Sequence, residues 1–381
     1  LPLGLISCNE SNTRFLKKNS NQTGIFFHNK LTYTEDFNPY TYRNFFNGGG
    51  VALGDINNDG LIDIYFTGNI VDNALYLNKG NWKFENIAES AGVLCEDNWS
   101  TGATFIDINN DGFLDLYVAK SGKPGGENRH NELFINQGDL TFIESSREYG
   151  LDIEGLSVHA SFFDYDGDLD LDAYVLNNSI RSVGTYDLIE GQRNIPSDDG
   201  NQLLENIDNK FFNVSSDKGI YSSNIGFGLG ITMSDFNGDL WPDLFISNDF
   251  FEKDYLYLNN YGKGFSEESA IYFDALSMGS MGADAADMDN DLIPDLIVTE
   301  MLPETLSRQK NKQVYESYDK FSLAGSKGYH KQYPRNAVQR NLGNTFYEVS
   351  RQLGLSATEW SWAALLFDMD NDGYKDVYIS N

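Results

Sequence analysis

One nine-residue pattern, Asp-x-[Asp/Asn]-[Asn/Gly]-Asp-[Gly/Leu]-x-x-Asp, occurs six times in this chain and limits its fold more than any other feature. The copies begin at Asp55, Asp107, Asp164, Asp235, Asp287 and Asp368, so their starts lie 52, 57, 71, 52 and 81 residues apart. A unit of about 52 residues with insertions accounts for every gap. Each copy is followed by a short β-rich run (IYFTGN, LYVAKS, AYVLNN, LFISND, LIVTEM, VYISN) and preceded by small or apolar residues, such as GGGVALG before Asp55. Most copies are followed by a second motif, such as ALYLNKGNWKFENIA or YLYLNNYGKGFSEES, that reads as strand, Asn/Gly turn, strand. One unit is therefore four strands, with the acidic loop between the first two. Repeated four-stranded units at this period predict an all-β chain folded as a β-propeller, six or seven blades around an axis. A solenoid is the alternative, and four short antiparallel strands per unit favour a radial blade. No 3.6-residue apolar period supports helical repeats.

The loops carry the chemistry. Positions 1, 3, 5 and 9 place Asp55, Asn57, Asp59 and Asp63 in the first loop, and Asp107, Asn109, Asp111 and Asp115 in the second. The third and fourth hold Asp164, Asp166, Asp168 and Asp172, then Asp235, Asn237, Asp239 and Asp243. The last two hold Asp287, Asp289, Asp291 and Asp295, then Asp368, Asp370, Asp372 and Asp376. Alternating oxygen donors in a tight loop suit Ca²⁺, a hard cation that takes six to eight oxygens. Position 7 can add a backbone carbonyl. Position 4 is always Asn or Gly, residues that tolerate the left-handed backbone such a loop needs. An EF-hand requires Glu at position 12 between helices. Here position 12 is Phe66, Val118, Val175, Ile246, Val298 or Ile379, each in a strand-like run. Zn²⁺ would want His or Cys, which the loops lack, and Mg²⁺ prefers water-rich octahedral sites. Up to six Ca²⁺ are expected, and they would bring the formal charge from −30 to −18.

That charge, 57 acidic residues against 27 basic, disfavours nucleic acid as a partner. With 40% apolar and 14% aromatic residues the chain can bury a large core, and no apolar run reaches the length of a membrane-spanning helix. Two cysteines cannot form a disulfide framework. Cys95 reads as a small buried residue. Leu5-Ile6-Ser7-Cys8 ends a short apolar stretch and resembles a bacterial lipobox, in which the Cys is lipidated. The expected organisation is a remnant of a lipoprotein signal (1–8), a linker (9–21) and the propeller (22–381). The stretch 23–34, TGIFFHNKLTYT, reads as one or two strands able to complete the final blade; a seven-bladed ring is the other possibility, and the sixth unit holds only its first two strands.

The blade pattern resembles the FG-GAP/VCBS repeats of integrin α-like propellers. NGGGVALGDINNDGLIDIYFTGN and WSWAALLFDMDNDGYKDVYISN are similar to exported, lipid-anchored VCBS proteins of Bacteroidetes type, which often carry an ASPIC/UnbV domain after the propeller. The resemblance spans about residues 22–381 and implies Ca²⁺ in the blade loops and an outer-membrane or cell-envelope location. No literal Phe-Gly–Gly-Ala-Pro occurs, the third loop has an extra Asp170, and no ASPIC/UnbV region is visible.

The four histidines (His28, His130, His159, His330) share no motif, and no nucleophile elbow, HExxH or phosphate loop exists. The reading is therefore a Ca²⁺-stabilised envelope module that binds a glycan or protein partner, touching membrane only through its lipid anchor. The alternatives are a polysaccharide-acting enzyme and a structural carrier of a further domain. Recognition is expected in the insertion of the fifth unit, where 308–335 holds seven of the 27 basic residues interleaved with tyrosines. Lys327, Tyr329, Lys331, Tyr333 and Arg335 are the candidate ligand residues. A basic lid neutralising its own acidic propeller is the competing reading, and the insertion near 179–202 is a weaker candidate.

Overall fold

The computed structural model describes residues 15–96, 99–122, 129–178, 190–250, 252–312 and 318–381. Cys8, the first six residues of the linker and part of each long insertion lie outside them. The chain is all-β and built as a β-propeller. The first blade comprises β1 (Val51–Gly54), β2 (Asp63–Phe66), β3 (Ala74–Asn78) and β4 (Phe84–Asn86). The second is β5 (Ser100–Ile106), β6 (Asp115–Lys120), β7 (Glu132–Asn136) and β8 (Phe142–Glu144). The third is β9 (Ser157–Phe163), β10 (Asp172–Asn177), β11 (Gln202–Asn206) and β12 (Phe211–Asn213). The fourth is β13 (Gly228–Ser234), β14 (Asp243–Asn248), β15 (Tyr255–Asn259) and β16 (Phe265–Glu267). A short pair follows, formed by β17 (Leu276–Ser277) and, later in the chain, β20 (Gln332–Tyr333). The fifth blade is β18 (Gly282–Ala286), β19 (Asp295–Thr299), β21 (Ala337–Asn341) and β22 (Phe346–Glu348). A two-stranded sheet of β23 (Ala363–Phe367) and β24 (Asp376–Ser380) comes last. Every blade pairs antiparallel in chain order, as an up-and-down meander.

The strands follow from the sequence runs. β6, β10 and β14 are buried at every residue, because each lies mid-sheet and is covered by a blade on both flanks. β2 instead alternates buried and half-buried. The apolar core is thus a series of layers between successive sheets. Tyr65, Leu75 and Leu77 meet Leu116, Val118 and Phe134 between the first and second blades, and Phe245, Leu256 and Phe273 meet Leu296, Val298 and Phe346 between the fourth and fifth. The first strands, β1, β5, β9, β13, β18 and β23, pack one against the next in chain order and form the inner wall. Close approach there demands glycine: a Cβ on Gly102 of β5 would lie 2.4 Å from His159 Nδ1 of β9.

The segment 23–34 contains no strand, contrary to the sequence expectation. It runs as irregular chain against β2 and β3 of the first blade. The Phe26 N–H donates to the Tyr76 hydroxyl at 3.1 Å, Phe27 stacks on Phe66, and Gly24 closes a short helical turn in left-handed backbone. Side chains thus take the Ile25 and Phe26 N–H groups that a ladder would otherwise use, Thr23 Oγ1 for the first and the Tyr76 hydroxyl for the second.

Candidate functional site

Antiparallel order puts the two ends of every blade to different uses. The first-to-second and third-to-fourth turns lie at one end, which carries the six acidic loops. The second-to-third links, including both long insertions, lie at the other.

All six loops have one geometry. The position-1 carboxylate folds back over the turn and accepts the N–H of position 6, as in Gly60 to Asp55 (2.7 Å), Leu169 to Asp164 (3.1 Å), Leu240 to Asp235 (2.8 Å) and Gly373 to Asp368 (2.8 Å). The position-5 carboxylate accepts the N–H of position 7, as in Leu61 to Asp59 and Tyr374 to Asp372, both 2.9 Å. Positions 4 and 6 both take left-handed backbone, from Asn58 (φ 58°) and Gly60 (φ 84°) through Asn371 (φ 59°) and Gly373 (φ 91°).

Position 9 has a second duty. Asp63, Asp115, Asp172, Asp243 and Asp295 are buried, and each carboxylate joins two segments. One oxygen accepts the N–H of position 2 (Ile56 to Asp63, 3.0 Å), and the other accepts the N–H of the Asn that ends the third strand (Asn78 to Asp63, 2.7 Å). The same pair recurs with Asn136, Asn206, Asn259 and Asn341. Burial pushes Asp115 up to about 6 and Asp172 and Asp243 up to about 7, against the lowering effect of those N–H donors.

The donor set fits a hard divalent cation. Carboxylate oxygens of Asp164, Asp166 and Asp172 lie within 4.8 Å of one another, as do those of Asp287, Asp289 and Asp291, and those of Asp368, Asp370 and Asp376. In the third loop the extra Asp170 has a buried Oδ1 with no hydrogen-bond partner. The first, second and fourth loops hold Asn at position 3, whose amide donates to the position-5 carboxylate (Asn57 to Asp59 3.1 Å, Asn109 to Asp111 2.9 Å, Asn237 to Asp239 3.1 Å). A cation there would take the amide oxygen.

The insertion end separates the predicted ligand residues. Lys327, Lys331 and Tyr333 are exposed, whereas Tyr329 is 3% exposed and Arg335 is tied to Glu348 at 2.6 Å. Arg193, from the other insertion, makes a buried bidentate pair with Glu252 (2.7 and 3.1 Å), reaches the Gly328 carbonyl, and lies over the Tyr329 ring. This bridge joins the two insertions to the fourth blade. Nearby, Asp249 Oδ1 and Glu300 Oε1 come within 3.1 and 3.2 Å of the point a Cβ on Gly279 would occupy. Burial raises Asp249 to about 6 and Glu300 to about 8. A cleft of about 230 Å³ at this end is lined by Tyr42, Trp99, Thr101, His159 and Leu229 among others. Sequence reasoning missed Arg193–Glu252 and Asp249–Glu300, because their partners are 59 and 51 residues apart and share no motif.

The FG-GAP-like repeat family model matches residues 55–118 and 235–298, each running from an acidic loop through the strand that follows the next loop or its counterpart in the neighbouring blade. These two stretches carry FG-GAP-like repeats. Cartilage acidic protein 1 of Mus musculus is 27% identical over 205 residues, 53% of this chain and 29% of that protein. The Homo sapiens protein of the same name is 27% identical over 202 residues, 53% of this chain and 28% of its own length. The match thus spans under a third of these relatives. Among solved structures, a lectin of Agrocybe aegerita that recognises non-reducing terminal N-acetylglucosamine aligns with TM-score 0.45 at 15% identity, over 85% of this chain and 72% of that one. The V. cholerae biofilm matrix protein Bap1 aligns with TM-score 0.38 at 14% identity, over 84% and 43%.

Proposed function

We propose that this FG-GAP-repeat propeller is a Ca²⁺-stabilised binding module of the cell envelope, holding cations in its acidic loops and recognising a protein or glycan through its ends. The observation that carries the metal reading is the convergence of three carboxylates within 4.8 Å in the third, fifth and sixth loops, on a turn geometry common to all six. A cation would screen carboxylates that otherwise repel, and Asp55, Asn57 and Asp59 with their counterparts would hold it. Calorimetry tests this: Ca²⁺ should raise the melting temperature above that in EDTA, and more than Mg²⁺ does. An unchanged melting curve would sink it. Envelope anchoring through Cys8 is tested by fatty-acid labelling of the full-length precursor, with Cys8→Ser releasing the protein from membranes.

The Asp249–Glu300 pair favours a second reading, an enzyme acting on polysaccharide through two carboxyl groups. Against it, Glu300 is only 4% exposed. Loss of hydrolysis in Glu300→Gln, on any glycan the protein cleaves, would decide for it.

A further inference from the structure

Three consecutive blades place a leucine at position 6 of the acidic loop, where the other loops have glycine. Leu169, Leu240 and Leu292 are 88%, 92% and 90% exposed, and all three sit in left-handed backbone, at φ 77°, 72° and 71°. Both features are unfavourable for leucine. Left-handed backbone crowds any Cβ, and an exposed isobutyl group gains nothing from burial. Glycine, used at Gly60, Gly112 and Gly373, would relieve both. Among the described residues the fold gives these side chains almost no burial. The turns at the same end of the blades add Trp82, Tyr261 and Tyr374, which are 66%, 65% and 58% exposed. An apolar surface of this kind, set among carboxylates, marks an interaction face.

The partner must be apolar and cationic. The six loops hold 22 aspartates, so they keep excess negative charge even with a divalent cation in each. The chain itself presents the complement at its opposite end. β19 runs from the acidic end to the other, where its link to β21 emerges with helices Leu306–Lys312 and Tyr318–Ser326. Those helices expose Leu306 (62%), Tyr318 (79%) and Leu323 (44%) beside exposed Lys310, Lys327 and Lys331. Neither surface can reach the other within one molecule.

We propose that the acidic end, through Leu169, Leu240 and Leu292, docks the basic helical insertion of a second copy of this chain. The contact joins unlike surfaces, so it does not close on itself and generates head-to-tail chains of propellers. It rests on reading the protein as a binding module and names the partner of the basic insertion.

Sedimentation velocity on the 381-residue chain tests it. Average mass should grow with concentration at low ionic strength and fall back in high salt. Leu169→Gly/Leu240→Gly/Leu292→Gly should weaken association about tenfold or more while the melting temperature holds or rises. Lys310→Glu/Lys327→Glu/Lys331→Glu should do the same from the other side. Mixing the two variants should yield a one-to-one dimer and nothing larger, since each keeps one intact end. A wild type that stays monomeric, a glycine variant that still assembles, or leucine-dependent pelleting of monomers with phosphatidylserine vesicles would each overturn the proposal. Failure of the metal reading looks different: assembly persists, and the melting temperature ignores EDTA.

Discussion

The side-chain amide of Asn58 donates to the carbonyl oxygen of Gly112 at 2.9 Å, joining the acidic loops of the first and second blades. Asn290 repeats the contact to Gly373 at 3.3 Å between the fifth and sixth. Position 4 is therefore more than a residue tolerant of left-handed backbone. At Asn58 and Asn290 that backbone turns the amide sideways, to the position-6 carbonyl of the next loop. Where position 4 is Gly167, the indole of Trp241 from the fourth loop fills the gap, 3.1 Å from where a Cβ would lie. These contacts tie the first loop to the second, the third to the fourth and the fifth to the sixth.

Asn58→Ala should cost about 1 kcal/mol through the lost bond. Asn371 has the same backbone (φ 59° against 58°) and no such bridge among the described residues, so Asn371→Ala is the control. The difference between their urea midpoints isolates the bridge. Equal losses would show that backbone strain alone is being measured.

Positions 5 and 9 should respond oppositely to metal. Asp59 is exposed, so Asp59→Ala in EDTA should cost under about 1 kcal/mol, while the Ca²⁺ stoichiometry falls by about one. Asp63 is 0% exposed and holds the N–H groups of Ile56 and Asn78. Asp63→Ala strands both donors and should cost about 2–4 kcal/mol even without metal. Isothermal calorimetry and denaturant melts, each run with and without EDTA, separate the two roles.

Glu300 gives the fold a pH dependence. Burial raises it from the usual 4.5 to about 8, with Asp249 the charged neighbour that raises it further and the Met301 N–H opposing. The folded state therefore holds a proton that the unfolded chain releases near pH 4.5. Stability from this group is present below that value and is lost as pH rises through about 8. Glu300→Gln keeps the neutral shape, so it should flatten the fall between pH 5 and 9 and gain about 1–3 kcal/mol at the alkaline end. A variant whose stability falls as steeply as the wild type would assign that dependence to other groups.

Legibility followed the repeat. Four strands per unit, the loop between the first two, and left-handed Asn or Gly at position 4 were all readable, because each recurs and each obeys local backbone physics. The bond from Asn78 to Asp63 was hidden, although Asn ends the third strand of every complete blade. Its signal was the recurring Asn before each turn (Asn78, Asn136, Asn206, Asn259, Asn341), which reads as turn chemistry until the register is known. The segment 23–34 misled for the opposite reason. Phe26, Phe27 and Tyr33 have strand propensity, but propensity does not reveal that the Phe26 N–H goes to the Tyr76 hydroxyl and that Phe27 stacks on Phe66. Arg193–Glu252 lay beyond reach, since insertions carry no period.

That pair supports the final prediction. Arg193 is 8% exposed and Glu252 2%, and their bidentate contact is the point at which the 190–200 segment, the fourth blade and the Gly328–Tyr329 turn meet. Arg193→Ala leaves a buried carboxylate unpaired and should cost about 3–5 kcal/mol, whereas pairing it with Glu252→Gln should recover part of the loss. Lys327→Glu/Lys331→Glu, on the exposed side of the same insertion, should leave the melting temperature unchanged. The insertion is then anchored by its buried residues and free to use its lysines outward. If the lysine reversal destabilises as much as Arg193→Ala does, the lysines are holding the insertion onto its own acidic propeller, and its basic surface is a lid.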